Sequence, residues 1–419
     1  MKLFCQNYGC KLNLAELQEI KLAALRLGYI LTNQISEADL ILVNSCNVTQ
    51  TAFSKIEQFV KKNHQTKRKI IITGCLPPRF NQEKNENFFI VPSAQKGTIP
   101  QLLQKIIDQS SDTNSHPDFR QIAKTRSFIK IQTGCNTRCT YCIIPYQRGR
   151  SRSFSPVQIT NQIKEYIGQG YQEIVLTGTN LGQYNYHDKK LPFLIEYIFD
   201  HVEIPRLRIS SIDVCDIDNQ LLNLYQKYSK IICPHFHLAL QSGSDKILQA
   251  MKRPYNISKY RKVVDDIRMI LPSSTITTDI IVGFPGEIMS DILSTQDFIR
   301  EMQFLKVHLF SYSDHSLTPS SHLPDKVSVA NIKKRYHLLS QTANQVRKNI
   351  LLSQIKQNYS ILVEKTKKND QGKNIYRGYS STYIPVKIIS KKTLLANNFY
   401  DIKIEKYESG ELIGIPIYN

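Results

Sequence analysis

The chain has 419 residues, 41% of them hydrophobic, and carries 55 Lys and Arg against 35 Asp and Glu for a formal charge of +20. That length exceeds one ordinary core and implies two or three domains; no apolar run approaches a membrane span, and the start MKLFCQNYGCKLN lacks a secretory layout, so a cytoplasmic protein with no membrane partner is expected. The positive charge is spread over several segments and favours RNA or DNA as partner ahead of a membrane surface, with a plain lysine- and asparagine-rich bias as the competing reading.

Residues 1–109 alternate short apolar runs with amphipathic stretches. Lys2-Leu3-Phe4, the run from Asp39 to Asn44 and the run from Lys69 to Thr73 read as buried parallel strands, each followed by a polar turn and a helical pattern. The first helix is predicted to be capped by Asn13 with Glu16 in its third position, to bury Leu17, Ile20, Ala24 and Leu27, and to stop at Gly28. Cys10, Cys46 and Cys75 each follow one of these strands, so three thiols are expected at one edge of a parallel sheet. Any single one is more often a core cysteine, but three in equivalent places favour a shared ligand role. Cys10 also precedes a helix N-terminus, whose dipole favours a thiolate.

Residues 110–124, opening on the polar stretch Ser110 to Asp118, are predicted to be a linker. Over 125–350, six strand-like runs recur with helical patterns between them, beginning at Phe128, Glu173, Leu207, His235, Asp279 and Lys306. Six βα units predict a parallel sheet curling into a partial (β/α)6 barrel, with its site at the strand ends. The first strand runs into Cys135-Asn-Thr-Arg-Cys139-Thr-Tyr-Cys142, and three thiolates at this spacing can hold three irons of a 4Fe-4S cubane with the fourth iron open. Structural zinc wants four ligands, and no fourth lies close by. The remaining Cys5, Cys215 and Cys233 read as buried small hydrophobes, consistent with a reducing compartment in which disulfides are rare.

The other strand ends supply hydrogen-bonding groups for an amino-acid or ribose moiety; Gly178, Asn180, Ser211, Asp213, Gln241 and Asp279 are the candidate cofactor contacts. Arg138, Arg148, Arg150 and Arg152 beside the triplet could meet phosphates or form an ion-paired, solvated loop, and the two readings are evenly matched. His235 and His237 are expected to pack in the core. Residues 356–419 turn to short alternating runs that predict a small β-barrel. Its stretch 356–406 holds eleven Lys and Arg against four Asp and Glu, a composition that suits a nucleic-acid handle or a merely solvated surface.

CNTRCTYC on the first barrel strand resembles the radical S-adenosylmethionine (SAM) superfamily. Gln132 through Tyr146, the run Arg148 to Ser153, Leu240-Gln-Ser-Gly-Ser244 and Asp279 through Glu287 resemble, more narrowly, the methylthiotransferase family over essentially the whole chain. The resemblance implies a radical SAM barrel, a terminal TRAM-like RNA-binding barrel, SAM as cofactor, and two 4Fe-4S clusters. One cluster, on Cys135, Cys139 and Cys142, would split SAM into a 5'-deoxyadenosyl radical; the auxiliary one, on Cys10, Cys46 and Cys75, would carry the sulfur. It also implies a low-potential electron donor such as flavodoxin or ferredoxin, and a monomer is expected. Tyr8-Gly-Cys-Lys-Leu-Asn13 is most similar to the branch that methylthiolates carbon 2 of threonylcarbamoyladenosine beside the tRNA anticodon. Isopentenyladenosine in tRNA is the alternative substrate, a ribosomal-protein aspartate is disfavoured by the net charge, and a non-catalytic iron-sulfur RNA-binding paralogue is the rival from another class. Two departures stand out: His315 and Leu317 replace the family's usual arginine and glycine after Tyr312-Ser313, and Pro77-Pro78 follow Cys75-Leu76.

Overall fold

The structure is a computed structural model that describes residues 1–46, 50–63, 68–76, 87–109, 125–368 and 374–418. The expected linker 110–124 and Pro77-Pro78 lie outside the described residues.

Leu40-Ile41-Leu42-Val43 is apolar at every position because both faces of its sheet are covered. Leu40 and Leu42 pack with Leu17, Ile20 and Leu103 on one side, while Ile41 and Val43 pack with Ile56, Val60 and Ile70 on the other. This sheet is fully parallel, in the order Ile30–Thr32, Lys2–Asn7, Leu40–Ser45, Lys69–Gly74, Phe88–Pro92. The first and last of these are short edge strands not among the expected ones.

The six expected strands of the central unit are present: Arg126–Lys130, Glu173–Thr177, Leu207–Ile209, His235–Leu238, Thr275–Val282 and Lys306–Ser311. All pair in parallel, but the third is broken at Ser210; its first part pairs with Glu173–Thr177, and its continuation Ser211–Ile212 pairs with His235–Leu238. The barrel is therefore partial, with Arg126–Lys130 and Lys306–Ser311 as its two edges. Helix Lys11–Arg26 from the N-terminal unit covers the first edge: Gln18 Oε1 accepts from Phe128 N at 2.9 Å, and Lys130 pairs with Glu19 at 2.8 Å.

That helix starts three residues before the expected position. Cys10 occupies the cap, Asn13 lies inside the first turn, and no side chain caps the end. The buried Asn13 side chain is committed to the neighbouring strand, donating to Asn44 Oδ1 at 3.1 Å and Ser45 O at 2.8 Å, and this tertiary demand overrides its capping preference. The helix ends at Arg26, and Gly28 follows with φ +88.

The C-terminal strands form a closed five-stranded barrel, antiparallel except where Pro385–Ile389 runs parallel to Glu411–Pro416. Its segment 379–383 plugs the lower end of the central barrel. Arg206 donates to Tyr379 O at 3.2 Å, and Arg208 donates to Ser380 O and Ser381 O at 3.2 and 3.0 Å, with its guanidinium 4.5 Å from the Tyr383 ring. Glu173 balances these cations, accepting from Arg208 at 2.9 and 3.2 Å and pairing with Arg126 at 3.2 Å. Burial alone would raise the Glu173 carboxyl, but Arg208, Arg126 and Arg206 outweigh it and hold the group at about 2.

Glu173→Gln is therefore expected to lower stability by about 3–5 kcal/mol, since it leaves buried guanidinium charge unmatched. The folded pKa is depressed, so the contribution is complete above the ordinary carboxylate value of about 4.3 and lost as pH falls toward 2. Denaturant titrations of wild type and variant across that window should converge at low pH. Equal stability at neutral pH would contradict the role assigned to this carboxylate.

Candidate two-cluster active site

The first cysteine set is assembled by three adjacent strands. Lys2–Asn7, Leu40–Ser45 and Lys69–Gly74 are neighbours in the sheet, so the chain leaves the same edge at Cys10, Cys46 and Cys75. Gly74 sits at φ +109, and a Cβ there would lie 2.3 Å from Ser45 O; its absence lets Cys75 N donate to that oxygen at 3.3 Å. Beneath the set, Arg148 donates to Glu16 at 2.7 and 3.2 Å, and Lys96 pairs with the same carboxylate. Burial opposes ionisation of Glu16, yet Lys96 and Arg148 hold it at about 2. Burial also pushes the Cys75 thiol up, and Arg148 is the cation beside it that acts in the opposite sense.

The second set lies on the loop after the first barrel strand. Gly134, at φ +78, would place a Cβ 2.1 Å from Arg150 O, and the loop closes through Cys135 N donating to Gly149 O at 3.1 Å. Gln132 is buried at its centre: Nε2 donates to Gly134 O at 2.6 Å and to Ser151 Oγ at 2.8 Å, while Oε1 accepts from Thr179 N at 2.9 Å. Arg253 donates to Cys139 Sγ at 3.0 Å and pairs with Asp213. Burial pushes the Cys142 thiol up to about 12 and raises Cys135 as well.

Both sets fit a cubane better than a single ion. A lone metal with bonds of roughly 2.3 Å to sulfur needs its donors close together. Among the described residues, the one group of three such donors within 4.8 Å of one another is His237, Asp279 and His308, so neither cysteine set is that tight. A cubane, which gives each thiolate its own iron, accepts the wider spacing.

The sets face each other across one chamber of about 440 Å³, with Cys10 and Cys46 on one wall and Cys142 with Tyr141 on the other. Gln241 and Asp279 line it, as does His315; Leu317 is 48% exposed. Gly178, Ser211 and Asp279 line an adjoining cavity of about 380 Å³. Asn180 and Asp213 instead cap short helical turns, accepting from Gly182 N at 3.2 Å and Cys215 N at 3.1 Å.

Several expectations need correction. Arg148 is 7% exposed and its guanidinium is committed to Glu16, which removes it from RNA contact, whereas Arg138, Arg150 and Arg152 are exposed. His235 and His237 are buried but form cavity wall in place of core, with His237 held by Asp279 at 3.2 Å and Thr277 at 3.0 Å. Cys215 is exposed and Cys5 half-buried, and Cys233 alone of the three is fully buried. Nothing in the local pattern marks Arg253 or Glu16 as site residues, because their partners Cys139 and Arg148 are distant in the chain.

Residues 129–299 match the family model of the Radical SAM superfamily, and residues 2–92 match that of uncharacterized protein family UPF0004. The chain is 34% identical over 430 residues to threonylcarbamoyladenosine tRNA methylthiotransferase MtaB of Chlamydia pneumoniae, covering 99% of this chain and 97% of that protein. It is 30% identical over 434 residues to the tRNA-2-methylthio-N(6)-dimethylallyladenosine synthase of Dictyoglomus thermophilum, covering 99% and 98%. The solved structure of the radical S-adenosylmethionine methyltransferase TsrM from Kitasatospora setae shares the fold, with a TM-score of 0.53 at 11% identity over 76% of this chain and 75% of that one. With a radical SAM barrel carrying its cysteine triplet and near-full-length relatives at this identity, the chain belongs to the radical SAM methylthiotransferase family.

Proposed function

We propose that this enzyme inserts a methylthio group at carbon 2 of threonylcarbamoyladenosine next to the anticodon of a tRNA. The observation that carries the reading is the single chamber bounded by Cys10 and Cys46 on one side and Cys142 on the other. Cys135, Cys139 and Cys142 would hold a 4Fe-4S cluster that, with SAM, would supply the radical chemistry; Cys10, Cys46 and Cys75 would hold a second that would supply the sulfur, and SAM would also supply the methyl group.

The protein's own part is positioning and exclusion of water. Arg253 fixes the Cys139 sulfur, and Glu16 with Arg148 clamps the N-terminal sheet onto the barrel so that both walls keep their distance. Gln241 and Asp279 offer hydrogen-bonding groups between the walls for SAM, with Gly178 and Ser211 close by in the adjoining cavity. A base in an anticodon loop is already near single-stranded, so moving it into the chamber costs little compared with a duplex base. Arg150 and Arg152 are exposed near the triplet and suit phosphate contact, as does the C-terminal barrel, where Lys387, Lys391 and Lys392 form no ion pair among the described residues. The reading places the enzyme in the cytoplasm, as a monomer served by a low-potential donor such as flavodoxin or ferredoxin. Among the described residues, no helix is long and apolar enough to cross a membrane.

Mass spectrometry of tRNA nucleosides from a strain lacking the protein is expected to show threonylcarbamoyladenosine in place of its methylthio derivative, with the derivative restored by the wild-type gene. Unchanged methylthio-threonylcarbamoyladenosine in the deletion strain, with loss of a different methylthio nucleoside, would reassign the substrate.

A further inference from the structure

The chamber between the cysteine sets continues into the second cavity through Cys10, Asp279 and Phe310, which line both. At about 380 Å³ this cavity is large enough for a small-molecule substituent, within the roughly 300–1,000 Å³ typical of ligand pockets. Its charge is unbalanced. Lys11, Lys306 and Arg347 line it, and none of the three forms an ion pair or a side-chain hydrogen bond with any described residue.

The acids that could balance them are already engaged. Asp279, the one carboxylate on the wall, is held by His237 Nε2 at 3.2 Å. Glu411, which feels the Arg347 charge, is bound by both arms of Arg377 at 3.1 and 3.0 Å. Lys11 lies 5.7 Å from the Tyr383 ring, and the carboxylates whose charge reaches it, Asp279 and Glu173, are held by His237 and Arg208. Burial and Lys306 lower His308 to about 4, so its ring is neutral and can donate one hydrogen bond. His237, Asp279 and His308 are close enough to hold a cation, but flanking lysine charge opposes one.

We propose that this cavity is a carboxylate-binding subsite that receives the acidic substituent on N6 of the target adenosine through Lys11, Lys306 and Arg347. The inference rests on the reading that an RNA adenosine reacts at carbon 2 in the adjoining chamber. Carbon 2 and N6 flank N1 on one edge of the purine, so placing carbon 2 between the cysteine sets directs an N6 substituent toward the neighbouring space. A threonylcarbamoyl group ends in a carboxylate that matches the three cations. A dimethylallyl group would fill the apolar part of the wall, Leu305 and Phe310, and leave the cations unmatched.

The test uses reconstituted holoenzyme and three anticodon stem-loop RNAs that differ only at N6: threonylcarbamoyl, its methyl ester, and dimethylallyl. Fluorescence anisotropy is expected to show the acid binding about tenfold to a hundredfold tighter than the ester or the dimethylallyl RNA, the range for hydrogen bonds to a charged group. In the Lys306→Met, Arg347→Met double variant the acid and the ester should bind alike. Equal wild-type affinity for acid and ester would overturn the subsite, as would a double variant that weakens all three RNAs by the same factor, the mark of a phosphate contact. Methylthiolation of acid and ester with equal efficiency and equal affinity refutes the subsite while sparing the reaction. An acid preference in binding with no methylthio product on any RNA supports the subsite and refutes the reaction.

Discussion

Alanine at Cys135, Cys139 and Cys142 together is expected to abolish reductive cleavage of SAM and to lower iron from about eight to about four per chain after anaerobic reconstitution. The three sulfurs sit on one short loop that is tied down independently of them. Gln132, Thr140 and the Gly134 backbone make its hydrogen bonds, so the loop has reason to persist without its thiols. Loss of 5'-deoxyadenosine in the presence of dithionite, with retained solubility, is the expected readout. A triple variant that still cleaves SAM would mean that these cysteines do not hold the cluster that does so.

The arrangement gives each unit a distinct task. The parallel N-terminal sheet gathers three thiols at one edge, the partial barrel presents the other three, and a buried carboxylate with two cations joins the units beside the first set. The C-terminal barrel does more than add a charged surface. Its segment 379–383 closes the lower end of the central barrel, and Tyr379 and Tyr383 form part of the cavity wall. Removing that barrel would expose Arg208 and open the cavity, so its contribution to RNA binding is better measured by replacing surface lysines than by truncation.

Much of this was legible in local pattern. The apolar run Leu40 to Val43 announces a strand covered on both faces, and the six barrel strands were each placed to within a few residues. The cysteines were legible because ligand spacing on one loop, or a repeated place after a strand, is a property of short segments. The edge strand Ile30–Thr32 is not, since three residues are too few to show a pattern, whereas Phe88–Pro92 is apolar throughout and carries a strand signal of its own. Asn13 has the chemistry of a cap and was read as one, but the decisive partners, Asn44 and Ser45, come from another strand. For Arg148 the sequence leaves phosphate contact and ion pairing evenly matched for the same reason: its partner Glu16 is 132 residues away in the chain. Charge in a sequence shows its sign but not which acid will meet it after folding.

The second large effect separates the two cysteine sets. Replacing Cys10, Cys46 and Cys75 by alanine removes thiols from the far wall of the chamber and leaves the loop of Cys135, Cys139 and Cys142 and its Arg253 contact in place. The division of labour between the walls is tested most directly by quantifying 5'-deoxyadenosine and methylthio nucleoside in one reaction of this variant with SAM, dithionite and threonylcarbamoyl stem-loop RNA. The predicted result is about four irons retained, continued release of 5'-deoxyadenosine, and no methylthio product. Methylthio product from this variant, or loss of all soluble protein in place of selective loss of product, would contradict the assignment of the N-terminal set to sulfur transfer.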